Sequence, residues 1–209
     1  QLEPMVDAML QCWLLGTEAG HGMAEVFTGR YNPSAKTVMS FPYAVGQIPI
    51  SYRVFNTGRP LPPAGGDSTW KSRYRDIPND PLYPFGFGLS YTRFEYSAPS
   101  LNAPTMKPNG SVEVTVPVTN SGAREGEEVV QLYIRDHVSS IVRPVKELKG
   151  FRKISLKAGE TQTVRFTVTA KELSFLNAEG DPVLEPGKFS LFVGPNSKQT
   201  QELKLEVNP

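Results

Sequence analysis

The stretch "SVEVTVPVTN", residues 111–120, constrains the fold of this chain more than any other. Val112, Val114, Val116 and Val118 alternate with Glu113, Thr115 and Thr119, the period-2 pattern of a strand with one buried face. The pattern returns down the chain. Val130, Leu132 and Ile134 alternate with Gln131, Tyr133 and Arg135; Val164, Phe166 and Val168 with Arg165 and Thr167; Leu203, Leu205 and Val207 with Glu202, Lys204 and Glu206. With "TRFEYS", "KGFRKISL" and "KFSLFVG", about seven strands are expected over residues 91–209. The breaks between them, "KPNG", "SGAREG", "KAGE" and "NAEGDP", are turn chemistry in which Gly or Asn takes positive φ at little cost. Short strands with such turns predict an antiparallel β-sandwich of immunoglobulin or fibronectin type. The run "EGEE", 125–128, reads as solvated surface, and Tyr133 as the one strand aromatic set among polar neighbours.

Residues 1–54 read differently. Met5, Val6, Met9, Leu10, Trp13 and Leu14 fall on one face of an amphipathic helix, with Gly16 as its stop. Thr17 is placed to cap a second helix through "TEAGHGMAEVF", closed by Gly29. Gly20 and Gly22 each cost such a helix about 1 kcal/mol, and close packing is the expected reason for them. "TVMSF", 37–41, predicts a short strand ended by Pro42. Two helices and a strand cannot enclose a core. This segment is expected to be the end of a larger α/β layer, either covered by self-association or by further polypeptide, or else mobile and readily clipped.

Residues 55–90 are rich in Pro and Gly, which excludes regular helix or a central strand over most of their length. They form a linker that also carries Trp70, Tyr74, Tyr83, Phe85 and Phe87, too much apolar surface to hang free in water. The linker is therefore expected to lie against a partner surface. Trp70, Arg73, Tyr74, Arg75 and Asp76 are candidates for the rim of a ligand site, since aromatic faces and planar guanidinium groups suit sugars. Packing and salt bridges are the simpler account of the same residues.

Charge and rare residues narrow the function. Lys and Arg number 22 against 21 Asp and Glu, so no broad basic face for nucleic acid is expected. Cys12 is the single cysteine, and His21 and His137 lie far apart in sequence, which argues against an intrachain disulfide, a metal centre or a bound cofactor. No apolar run approaches the length of a membrane span, and residues 1–15 lack the pattern of a signal peptide. The chain is expected either to begin inside a longer protein or to have been trimmed.

The blocks "GTEAGHGMAEVFTGRYNPSAK", "VGQIPI", "NTGRP", "YRDIPNDPLYPFGFGLSYT", "NSGAREGEEVVQLYIRD", "RPVKELKGFRKISLKAGET" and "EPGKFSLFVG" occur in that order. Together they resemble the C-terminal third of bacterial β-glucosidases and β-xylosidases of glycoside hydrolase family 3, over essentially the whole chain. The resemblance implies a mainly β chain. Residues 1–54 would end an α/β sandwich domain, 55–90 would be the linker, and 91–209 a fibronectin type III-like antiparallel β-sandwich. It implies as partners a preceding (β/α)8 barrel and upstream α/β sandwich, a β-linked oligosaccharide as the substrate of the whole enzyme, and a periplasmic or secreted location. Arg30, where an acidic or amide residue is common, Ala35, where Gly is common, and "LLG" at 14–16 depart from the family pattern.

A retaining glycosidase needs two carboxyl groups roughly 5 to 5.5 Å apart across the scissile bond. By the resemblance, the nucleophilic Asp belongs to the barrel and the acid/base Glu to the α/β sandwich upstream of "GTEAG", so this chain carries neither. Within it, Glu18 and Glu25 would stand about 10 Å apart along one helix, too far for such a pair. The expected role is support of a β-glucosidase or β-xylosidase. The rival from another class is a stand-alone carbohydrate-binding or adhesion sandwich, because the fold alone does not choose between them.

Overall fold

The computed structural model describes residues 3–61 and 69–209; the part of the linker reading that falls on 62–68 lies outside the described residues. Eleven strands occur among the described residues. One sheet is built on β4 (Ser111–Asn120), which pairs along its length with β7 (Thr161–Thr169) on one side. On the other side it pairs with β1 (Phe94–Tyr96) and β2 (Ser100–Leu101). The second sheet runs in the order β3 (Thr105–Met106), β11 (Gln201–Val207), β10 (Gly187–Gly194), β5 (Gly126–Asp136) and β6 (Glu147–Leu156). All its pairings are antiparallel except β3 with β11. A small hairpin, β8 (Phe175–Leu176) with β9 (Pro182–Val183), lies outside both sheets.

The valines that alternate in sequence face inward. Val112, Val114, Val116 and Val118 meet Val130, Leu132, Ile134, Val164, Phe166, Val168, Leu191 and Leu205 in one buried core, the two-layer solution for sheets with one apolar face each. Fully burying a side chain of this kind is worth about 1.5 to 3 kcal/mol, so the core dominates the stability of this half. The turns follow their chemistry, with Gly159 at φ 77° and Gly180 at φ 89°. Between β7 and β8 lies α2 (Ala170–Leu173), a single turn whose Thr169 and Glu172 side chains form a reciprocal capping box.

The first half departs from expectation. Helix one does not form: Glu3–Met5 is a 3-10 turn, and the chain through residue 16 is irregular. A lone helix of that length is marginal in water unless its apolar face is covered, and Met5, Met9, Trp13 and Leu14 remain exposed. The second helix is present as α1 (Ala19–Phe27), with Gly29 at φ 71° just beyond its end. Its N-cap is Glu18, without a side-chain bond, in place of Thr17. Gly20 and Gly22 meet nothing that a side chain would strike. Nothing among the described residues covers this face, so the packing expected of these glycines has no partner within this chain.

In place of a strand at 37–41 there is one bridge, Phe41 with Tyr83. The two segments nonetheless run side by side. Phe41 N–H donates to Tyr83 O at 2.8 Å, Thr37 N–H to Phe87 O at 2.7 Å, and Gly86 N–H to Thr37 O at 2.8 Å. The aromatic hinge is therefore the pairing partner of the segment that precedes the linker.

Candidate functional site

The segment 29–55 and the hinge 83–88 lie across the sandwich along a polar and aromatic seam. At one end, the Lys36 ammonium reaches Glu128 at 2.9 Å and donates to Gly88 O at 3.1 Å. The Tyr96 hydroxyl donates to the other Glu128 oxygen at 2.8 Å, and burial, with that carboxylate beside it, pushes the Tyr96 phenol up. Glu128 is only 3% exposed, which corrects the reading of "EGEE" as solvated surface. The cause is register. Glu128 shares the inward face of β5 with Val130, Leu132 and Ile134, and counting back by twos from Val130 finds it in the sequence.

Tyr133 is likewise buried rather than presented to solvent. It does sit on the outer face of β5, but Tyr52 packs on it edge to face at 5.6 Å and stacks on Phe85 at 4.5 Å. The Tyr133 hydroxyl donates to Gln131 Oε1 at 2.5 Å, and Gln131 Nε2 donates to Gly86 O at 3.2 Å and Pro195 O at 2.6 Å. Lys146 closes this end, with its ammonium 4.3 Å from the Phe192 ring centre and hydrogen-bonded to Ser197 O and Thr200 Oγ1. Its burial, with Lys198 nearby, lowers its pKa to about 8.

The linker rim is a separate place. Ser72 N–H donates to Arg59 O at 2.9 Å, Asn79 Nδ2 to Ser72 O at 2.8 Å, and Tyr74 N–H to Asn79 Oδ1 at 3.0 Å, so the loop is tied at its base. Trp70 stands at φ 60° and is 81% exposed, and Tyr74 is 40% exposed. Arg73 is exposed as well. Among the described residues, no hydrogen bond, ion pair or ring contact joins these three side chains to one another or to the sandwich. A positive φ on a tryptophan costs free energy, so the loop holds this side chain outward against its backbone preference.

Glu18 and Glu25, the carboxylates weighed from the sequence, offer no enclosed site for a retaining pair. Glu18 lies on exposed helix surface, 2.6 Å from His21, and Glu25 is exposed on the same helix. Asp136 and Glu147 come together deeper in, but the Arg143 guanidinium bridges them, at 3.1 and 2.7 Å. Burial raises the Asp136 pKa despite that contact. For Glu147, burial is opposed by Arg143, Lys149 and Arg53, which together hold it below the usual range. A cation filling the gap leaves no room for a sugar, so this is a structural bridge. No group of three or more potential metal ligands gathers among the described residues.

Two family models match the chain: the glycosyl hydrolase family 3 C-terminal domain over residues 1–91 and the fibronectin type III-like domain over 128–197. The chain belongs to glycoside hydrolase family 3. It is 47% identical to a periplasmic beta-glucosidase of Salmonella typhimurium, over 98% of this chain and 27% of that protein. It is 45% identical to a beta-xylosidase of Formosa agariphila, over 92% of this chain and 26% of that protein. The crystal structure of a beta-glucosidase from Listeria innocua superposes on all of the chain with a TM-score of 0.92 at 42% identity, using 29% of its own length. The chain thus spans about a quarter of the family 3 relatives it matches. The mainly β fold, and the C-terminal family 3 region with its fibronectin-like domain, are as the sequence blocks implied.

Proposed function

We propose that the chain is the C-terminal brace of an exo-acting retaining β-glycosidase, a β-glucosidase that removes terminal β-linked glucose from oligosaccharides or glycosides. In this reading residues 1–54 end the α/β sandwich, 55–90 link, and 91–209 form the fibronectin-like domain. The nucleophile and the acid/base come from polypeptide outside this chain. The observation that carries the reading is the distribution of exposed apolar surface. The sandwich has a closed core, whereas Met5, Met9, Trp13, Leu14, Phe27 and Val45 lie exposed in the first 45 residues. Surface of this extent belongs under another layer. The barrel and upstream α/β sandwich are the proposed cover, and the beta-glucosidase names of several relatives support the choice of sugar.

Trp70, Arg73 and Tyr74 are proposed to contact the substrate of the whole enzyme from the linker rim, supported by their exposure on a tied loop. The rival, a stand-alone binding module, has little support. Phe151 is the one exposed aromatic among the described strand residues, and a binding face built from strands uses several. Co-expression of the chain with the barrel and upstream sandwich of a family 3 enzyme tests the proposal. A stable complex that cleaves a nitrophenyl β-glucoside is expected. A chain that stays monomeric beside an active partner would overturn it. In the complex, Trp70→Ala is expected to raise KM more than it lowers kcat.

A further inference from the structure

A groove of about 710 Å³ opens where residues 30–32 pass the turn between β4 and β5. Its volume lies in the range of small-ligand sites. Its walls are firmly set. Asn32 donates to Glu125 O at 3.0 Å and accepts from Ser90 Oγ at 2.9 Å and Tyr91 N–H at 2.7 Å. Ser34 donates to Glu127 at 3.0 Å, and Arg124 donates to Gly29 O while lying over the Tyr91 ring. At Gly126, a Cβ would come within 2.7 Å of Asn32 Nδ2, so only glycine lets the two walls approach this closely.

The groups that face the opening are not used up by these bonds. Arg30 has no hydrogen bond or ion pair among the described residues. Tyr31 is 47% exposed, and its hydroxyl makes one long contact, 3.5 Å to Ser34. The Glu125 carboxylate receives one bond, from Ser155 at 3.5 Å. A planar guanidinium, an open aromatic face, a carboxylate and a hydroxyl are the groups that recognise vicinal hydroxyls and the apolar face of a pyranose. The charges oppose a different ligand. Glu125 and Glu127 stand beside Arg30 and Arg124, so neither a phosphate nor a cation finds a field of one sign.

We infer that this groove is a binding site for a neutral β-linked gluco-oligosaccharide, with Tyr31 stacking on a sugar ring and Arg30 and Glu125 holding its hydroxyls. Only the choice of sugar rests on the β-glucosidase reading; the groove chemistry stands on its own residues. The groove shares no lining residue with the linker rim, and it uses Arg30, where the chain departs from the family pattern.

The test is titration of the isotope-labelled 209-residue chain with cellotetraose, following backbone amide shifts. Saturating shifts at Asn32, Gly126 and Ser155, with a Kd of about 1 mM, are expected for a few hydrogen bonds and one stacked ring. Arg30→Ala and Tyr31→Ala, both at exposed side chains, are expected to weaken binding at least about tenfold, with unchanged thermal transitions. Glu125→Gln checks the same contact should either variant fold poorly. No shift at about 20 mM sugar, or binding that survives Arg30→Ala and Tyr31→Ala, would overturn the inference. Should that surviving binding be lost in Trp70→Ala, the linker-rim reading would stand without the groove.

Discussion

The Lys36 ammonium lies 2.9 Å from the Glu128 carboxylate, with the two side chains 12% and 4% exposed. The pair joins residues 92 positions apart and holds the segment before the linker onto the end of the sandwich core. Removing one partner of a buried pair leaves the other charged and unpaired, typically at a cost of about 3 to 5 kcal/mol. Lys36→Met is expected to lose about 3 kcal/mol in chemical denaturation and to open residues 29–54 to protease. Lys36→Met with Glu128→Leu is expected to recover most of the loss. A single variant as stable as the parent would show that the pair is dispensable.

Gly86 is the second anchor. It sits at φ 80°, and a Cβ there would run into the Gln131 amide. The strain of left-handed backbone on alanine adds about 1 kcal/mol to that clash. Gly86→Ala is therefore expected to lower Tm by several degrees, about 2 to 4 °C per kcal/mol at this size. Gln131→Ala should lower it less, because it removes hydrogen bonds without adding a clash. Equal melting of Gly86→Ala and the parent would mean that the hinge is not held at this point.

Lys146 gives a pH test with a definite sign. Burial sets its folded pKa at about 8, below the ordinary 10.5, so between these values the unfolded chain binds more protons. Stability from this group therefore rises with pH from about 8 to about 10.5, as its cost of burial as a cation is relieved. Comparison with Lys146→Met isolates the group. The parent is expected to gain Tm relative to the variant between pH 7 and pH 9.5. A difference that stays constant would show that the ammonium is not desolvated there.

Local pattern decided how much of this was legible in advance. The strands could be read because Val112 to Val118 and their counterparts record burial in a period of two, and "KAGE" and "NAEGDP" supply glycines where positive φ occurs. Glu128 was legible in principle, since the same period puts it inward. Tyr133 was not: its alternation gives it the outer face correctly, and only the return of Tyr52 and Phe85 from elsewhere in the chain buries it. Met5 to Leu14 carry a helical spacing that remains unrealised, because a helix that short forms only when its apolar face is covered. The candidate rim residues were identified by type alone. Their exposure follows from the ties of Asn79 and Ser72, which sequence spacing does not reveal.

The central claim is that no catalytic pair lies in these 209 residues, and hydrolysis of a nitrophenyl β-glucoside by the purified chain tests it most directly. Glycosidase chemistry needs an acid and a nucleophile flanking the bond, and the largely buried carboxylates Asp136 and Glu147 are bridged by the Arg143 guanidinium. The expected rate is that of buffer at every chain concentration. Turnover that rises in proportion to the chain and persists through further purification would contradict the account.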